Sequence, residues 1–529
     1  MRAQTHAKSA RPQRSGLLCA RGFATVHDVS ARRRNQHERS WPRVIACAVA
    51  LVAFACGHTL TRARPSRGSV SHAAAIDLQP APTHAVAQVA PAAQAPPPPA
   101  ASANTSDTGA AQDATSDGTR ASELAAEAPL GGPTPIEDPG GHALDALHAA
   151  LRRVQEQHAQ AHLVFYGASH VASDLFTGAL RQRLQKRFGE AGPGFVVPGR
   201  PWRWYRNAGI HIEQSRGFSP LRVIERAPVP AIYGLAGAAM DSSKKRSGIL
   251  SIATRGNGGL HGYVSRAELY YLKQPGGGHL TVFIDGKRMA RIASAARAPE
   301  PGYAHFDLSD GPHRFELRTT TDGAVRVFGW ALERDEPGVI LDTLGVPGTR
   351  VRDHLFWDDA FYREHLARRQ PDLVVLAYGT NESGDDDVPL EHYEAKLREV
   401  IARVHEVAPA ASCVLIGPSD RPVRNDDGTF APRPLTERIA QVQRTVSAEL
   451  GCGFFDLQRF MGGPMSMVRW VAADPPLGTK DYVHFTAAGY ERLASVLYDD
   501  LLAGFEDAEA PAVAAAPAPR PEDEGAGEE

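Results

Sequence analysis

Two rhythms of apolar and polar positions divide the foldable part of the chain. In the first, short continuous apolar runs at 163–166, 339–344, 373–377, 414–416 and 454–455 read as buried strands. Between and around them, stretches at 143–153, 175–188, 351–369, 390–407, 435–450 and 487–502 carry apolar residues at helical spacing. Strands that are apolar throughout, alternating with helices, predict a parallel sheet covered on both faces. In such sheets the chemistry lies outside the carboxyl ends of the strands.

The second rhythm interrupts the first from about 194 to 336. Here strand-like alternation recurs at 267–272, 280–284, 313–318 and 325–330, with an Asp285-Gly286 turn after the second run. Such a segment predicts an antiparallel β-sandwich, assigned to 196–336, inserted between the first and second strands of an α/β domain made of 142–195 and 337–505. The flanks differ again. Residues 66–141 are rich in Ala, Pro, Ser and Thr, including Ala-Pro-Pro-Pro-Pro-Ala at 95–100, and read as a disordered linker. Residues 506–529 read as a disordered acidic tail.

Near the start, Arg32, Arg33, Arg34, Arg39 and Arg43 precede an apolar run at 44–56. That run falls short of the roughly 20 residues of a comfortable membrane span, and suits a signal-peptide core or a short signal anchor. Residues 1–43 are then a basic cytoplasmic tail and 44–58 the anchor. The expected location is the cell envelope, anchored in the inner membrane and facing the periplasm, or secreted after cleavage. Ala53-Phe54-Ala55 is a small-x-small sequence, and Cys56 after it is a candidate for lipidation.

A formal net charge of −2 over 529 residues gives no general field for nucleic acid, and no nucleic-acid partner is expected. Of five cysteines, only Cys413 and Cys452 lie in the foldable part. Each enters an apolar strand-like run, so a disulfide and two buried free thiols are the alternatives. Neither has the surroundings of a metal site.

Three short blocks carry the chemistry: Phe-Tyr-Gly-Ala-Ser-His at 165–170, Tyr-Gly-Thr-Asn-Glu at 378–382 and Asp-Tyr-Val-His at 481–484. Ser169, between a strand and a helix, offers a hydroxyl, and its backbone N–H lies at a helix start. Gly348 lets its N–H approach a substrate oxygen with no side chain in the way. Asn381, after a strand, is an amide donor that does not titrate. Asp481 is three residues before His484, so its carboxylate can hold one imidazole nitrogen while the other faces the serine. Alone, each has an ordinary reading as a cap, a turn glycine, an Asx turn or a capping pair. Together they are the parts of acyl transfer through a serine ester.

These blocks resemble those of the SGNH (GDSL-type) hydrolase family, over about 142–195 and 337–505. The resemblance implies a three-layer, flavodoxin-like α/β fold and a Ser169–His484–Asp481 relay, with an oxyanion hole made by Ser169, Gly348 and Asn381. It implies no cofactor and no metal. Two departures stand out. Ala168 occupies the place of the family's usual Asp, and Glu382 the place of another. The first block, Gly-Ala-Ser-His-Val-Ala-Ser-Asp, is similar to that of peptidoglycan and other envelope polysaccharide O-acetylesterases, some of which carry a sandwich resembling a carbohydrate-binding module. His170, Trp202, Trp204 and Tyr205 are then candidate substrate contacts, the aromatic faces suiting sugar rings. The expected activity is removal of O-acyl, chiefly O-acetyl, groups from an acylated envelope polysaccharide. A polysaccharide O-acetyltransferase and a catalytically silent carbohydrate-binding protein are the alternatives.

Overall fold

The computed structural model describes residues 129–224, 232–254 and 262–505. The chain divides into units 1–104 and 105–529, and every described residue belongs to the second. The basic tail, the apolar segment with Cys56, most of the 66–141 linker and the acidic tail lie outside the described residues.

Five parallel strands form the central sheet: Gln160–Gly167, Gly338–Gly345, Leu373–Ala377, Ser412–Ile416 and Gly453–Phe455. Their order across the sheet is second, first, third, fourth, fifth. Alternate residues feed two cores. Val164, Tyr166, Val374 and Leu415 pack with Leu397, Ile401 and Ile439 on one face. Leu163, Phe165, Val375 and Val414 pack with Leu151, Leu184 and Leu497 on the other. Burial on both faces is why these strands read as continuous apolar runs rather than as alternating ones.

The order reverses beside the first strand, and that places the site. Gly167 is level with Gly345 on one side and Ala377 on the other, so three strands end together. The fit is tight enough to require glycine. A Cβ at Gly345 would stand 2.3 Å from the Ala172 amide nitrogen, and one at Gly167 would stand 2.9 Å from the Ala377 carbonyl oxygen.

The interrupting segment forms two antiparallel sheets. One runs Glu300–Gly311, Val264–Lys273, Arg326–Glu333, Ala238–Ser242, Phe218–Arg222, with Gly194–Val196 also paired to Arg326–Glu333. The other runs Ile210–Gln214, Gly248–Thr254, Arg314–Thr319, His279–Ile284, Lys287–Ala293. Phe315 of the second packs on Trp330 of the first, with centroids 5.1 Å apart. The Asp285-Gly286 turn has positive φ at both residues (50° and 78°), the geometry that closes a tight hairpin. The expected boundary at 195/196 falls inside the strand Gly194–Val196, which joins the antiparallel pairing.

Three expectations are modified. The helix read over 351–369 is two pieces, a 3₁₀ turn Val351–Phe356 and an α-helix Asp359–Arg369. Trp357 is extended between them, and Asp358 caps the second by accepting from the Phe361 N–H. The last residues of the segment read as linker, 66–141, pack on the domain. Glu137 exchanges backbone hydrogen bonds with Phe454 (2.8 and 2.9 Å) and pairs with Arg444, satisfying the edge of the fifth strand. Of the two alternatives for the cysteines, the structure shows a Cys413–Cys452 disulfide between neighbouring strands.

Candidate active site

Ser169 opens the short helix Ser169–Ala172 directly after the first strand. Its Oγ lies 2.8 Å from His484 Nε2, and His484 Nδ1 lies 2.7 Å from Asp481 Oδ2. An ionised carboxylate only accepts, so Nδ1 carries the proton and Nε2 is left to accept from the serine hydroxyl. His484 and Asp481 remain substantially open to solvent, with side chains 38% and 51% exposed. The relay therefore faces outward.

The acid is held as firmly as the base. Asp481 Oδ1 accepts from the backbone N–H groups of Val483 and His484 (both 3.0 Å) and from Thr479 Oγ1 (2.7 Å). Burial pushes the Asp481 carboxyl up, but these hydrogen bonds outweigh it and keep it well below the usual carboxylate range. Thr479 also bonds the His484 carbonyl through its N–H (2.8 Å), closing the loop that carries both residues. Tyr482 within it takes a left-handed φ of 57°.

The candidate oxyanion donors Gly348 and Asn381 follow the other two strand ends. Gly348 is exposed with φ 82°, where a side chain would be strained. Among the described residues, neither its N–H nor that of Ser169 donates to a protein acceptor. Asn381 Nδ2 donates one hydrogen to the Thr349 carbonyl (2.8 Å), which fixes the amide and leaves its second N–H available. Beneath them Glu382 is buried. It accepts from the N–H groups of Val351 (2.8 Å) and Gly379 (3.0 Å), tying the Gly348 loop to the Asn381 loop. Burial is the largest influence on its carboxyl and raises it above the ordinary value despite these bonds.

The tentative substrate contacts divide. His170 is buried, with Nδ1 2.9 Å from the Tyr490 hydroxyl and Nε2 3.2 Å from Ser419 Oγ. Its ring centroid is 5.6 Å from that of His484. Burial first, and the neighbouring His484 second, push it down to about 3. With both nitrogens engaged by protein, His170 supports the catalytic base from below and offers nothing to substrate. Trp202 is buried, and Tyr205 packs against the same core with its hydroxyl accepting from the Val197 N–H (3.0 Å). Of the three aromatic residues, only Trp204 presents its ring, at 48% exposure.

Residues that the sequence reading passed over complete the site. Ser419 and Thr380 share a hydrogen bond (3.1 Å) and link His170 to the Asn381 loop. Their signal was weak: Gly-Pro-Ser after an apolar run is ordinary loop composition. Asp174 accepts from Arg181, Thr177, Thr343 and the Ala208 N–H. It orders the first-block loop from six residues beyond Ala168, so the missing Asp does not leave that loop unsupported.

Comparison with known proteins bears on the family and the fold. Residues 311–492 match the GDSL-like lipase/acylhydrolase family model. The match starts after most of the antiparallel segment, which separates Ser169 from the rest of the site in sequence. No curated protein matches the chain. Among solved structures, a peptidoglycan O-acetylesterase aligns at TM-score 0.58 and 24% identity, over 70% of this chain and 99% of that one. An active-site mutant of a family two carbohydrate esterase from Clostridium thermocellum aligns over 55% of this chain and 99% of that one, at 11% identity and a TM-score of 0.24, too low to inform the fold. Residues 311–492 thus resemble the GDSL-like lipase/acylhydrolase family, and the fold is similar to that of the peptidoglycan O-acetylesterase.

Proposed function

We propose that the protein is a serine ester hydrolase that removes O-acetyl groups from a cell-envelope polysaccharide. The observation that carries this reading is the unbroken Ser169–His484–Asp481 hydrogen-bond chain, open to solvent beside N–H donors that have no protein acceptor among the described residues. Ser169 Oγ attacks the acyl carbonyl as His484 Nε2 takes its proton. The Ser169 and Gly348 N–H groups and the free Asn381 N–H receive the oxyanion. His484 then protonates the departing sugar oxygen, and water, activated by the same imidazole, releases the acid from Ser169.

The architecture supports a carbohydrate substrate in a coarser way. We read the central sheet as the middle of a three-layer flavodoxin-like domain, and the facing antiparallel sheets as an inserted sandwich that presents Trp204 to a sugar ring. On this reading the chain works in the envelope, tethered through its N-terminal apolar segment. Transfer of the acyl group to a sugar differs only in what attacks the acyl-enzyme. Release of free acetate in the absence of a sugar acceptor separates hydrolysis from transfer.

The test is hydrolysis of p-nitrophenyl acetate by the full chain and by its Ser169→Ala variant. The expected result is serine-dependent turnover that falls by roughly 10³-fold or more in the variant. Equal rates in the two proteins would remove the serine mechanism.

A further inference from the structure

Five residues past the fourth parallel strand, on the same side of the sheet as the triad, Arg421 reaches back over the Asn381 loop. The loop bearing it is pinned there, since the Ser419 N–H donates to Thr380 Oγ1 (3.0 Å). Arg421 Nη1 donates to the Thr380 carbonyl, next to Asn381, at 3.3 Å. Gly384 leaves room for the guanidinium, as a Cβ there would stand 2.7 Å from Nη1.

What distinguishes Arg421 is the company it keeps. Arg350 approaches the same loop and is held by a bidentate pair with Asp385. Arg433 donates to the carbonyls of Arg421 (3.2 Å) and Ser383 (3.3 Å), and its nearest carboxylate, that of the exposed Asp386, is 3.6 Å away. Arg421 is only part-exposed, yet among the described residues no carboxylate lies within 4 Å of it. Burial, then repulsion from Arg433 and Arg350, lowers its proton affinity, and Asp385 and Asp386 only partly offset this. A part-buried guanidinium facing two others and bonded to one carbonyl is an unmet demand for an anion. Its planar fork fits a carboxylate through two parallel hydrogen bonds.

We propose that Arg421, backed by Arg433, is an anion subsite beside Asn381 that binds a carboxylate carried by the acylated glycan. The substrate class narrows accordingly to glycans containing a sugar acid. This rests on the ester-hydrolase reading for its catalytic meaning, though not for binding.

The experiment compares two soluble esters on the full chain, an O-acetylated methyl glucuronoside and the matching O-acetylated methyl glucoside, which differ by one carboxylate. The wild type is expected to favour the acidic ester by roughly tenfold or more in kcat/KM, two charge-assisted hydrogen bonds being at stake. The preference is expected to shrink as salt rises. Arg421→Gln collapses the ratio towards one, and Arg421→Lys, which keeps the charge without the fork, retains part of it. A wild-type ratio near one, or a ratio unchanged in Arg421→Gln, overturns the subsite. A second arm does not depend on turnover: calorimetric titration of the Ser169→Ala protein with the acidic ester, with and without Arg421→Gln. Weaker binding in the double variant supports the subsite, and equal binding overturns it. Charge-dependent binding without acetate release by the wild type would remove the hydrolase reading alone. Thermal melting of both Arg421 variants shows that the loop still folds, and Arg421→Lys carries the test if the glutamine variant does not.

Discussion

The triad and the junction between the parallel and antiparallel sheets use the same kinds of group to opposite ends. At the junction Arg369 is buried, donating to Asp342 (2.7 Å) and Glu333 (2.5 Å), and Arg266 also holds Glu333 (2.7 Å). Burial alone would raise the Glu333 carboxyl, yet Arg369 beside it brings it down to about 2. Both carboxylates of that cluster have a guanidinium partner. At the triad, Asp481 is also fully engaged, but the chain of bonds ends at a serine hydroxyl open to substrate. A closed set of partners fixes two layers together. A set left open at one end does chemistry.

The sharpest break of this comparison is Asp481→Asn. The amide keeps the shape but no longer dictates which imidazole nitrogen is protonated, so kcat on p-nitrophenyl acetate is expected to fall by roughly 10³–10⁴-fold, with melting temperature little changed. A loss below tenfold would place the orienting acid elsewhere.

The junction should show the reverse pattern. Arg369→Met leaves buried Asp342 without its cation and Glu333 with Arg266 alone, and is expected to cost about 3–5 kcal/mol of stability in urea unfolding. The folded fraction should keep its turnover per active site. An unchanged unfolding midpoint would show that the cluster contributes no net stability.

A smaller effect per residue comes from three buried imidazoles. Burial, aided by His484 at His170, by Arg403 at His354 and by Arg368 at His365, holds all three at about 3, against an ordinary value of 6.5. Below pH 6.5 the unfolded chain takes up protons that the folded one refuses, so stability falls with pH from 6.5 towards 3. Each imidazole withdraws about 2 kcal/mol by pH 5. His365 is the plainest case, enclosed by the rings of Tyr270, Tyr303, Phe328 and Phe361 with no partner for either nitrogen among the described residues. Urea midpoints at pH 7 and pH 5 test this, and His365→Phe should reduce the difference. Equal midpoints would contradict it.

Much of the architecture was legible because burial leaves a direct mark on composition. The five apolar runs lie on the five parallel strands, and the helical stretches recur close to their expected bounds. The 3₁₀ break at Trp357 and the strap at Glu137 were not legible, since each depends on a partner distant in sequence. The same holds within the site. Ser169, Asn381, Asp481 and His484 stood out because their residue types recur in a known order, the first two after strands and the last two in the loop before the last helix. His170 looked like a substrate contact because it follows the nucleophile, and only the positions of Tyr490 and Ser419 turn it inward. Trp202, Trp204 and Tyr205 are equivalent as letters, yet packing buries the first and leaves the second exposed.

By itself, then, the sequence determined the strand–helix rhythm and the interrupting antiparallel segment, and singled out the residues proposed as nucleophile, base, acid and amide donor. These follow from local periodicity and from the few side chains able to do each task. The tertiary structure decided which polar groups spend their hydrogen bonds on protein and which keep one for substrate. It also chose the disulfide over two free thiols, and left Arg421 beside Asn381 with no carboxylate within 4 Å among the described residues. The physical reason is common to all of these. A side chain's charge, proton affinity and availability are set by neighbours hundreds of residues away, which only folding brings within 3 Å.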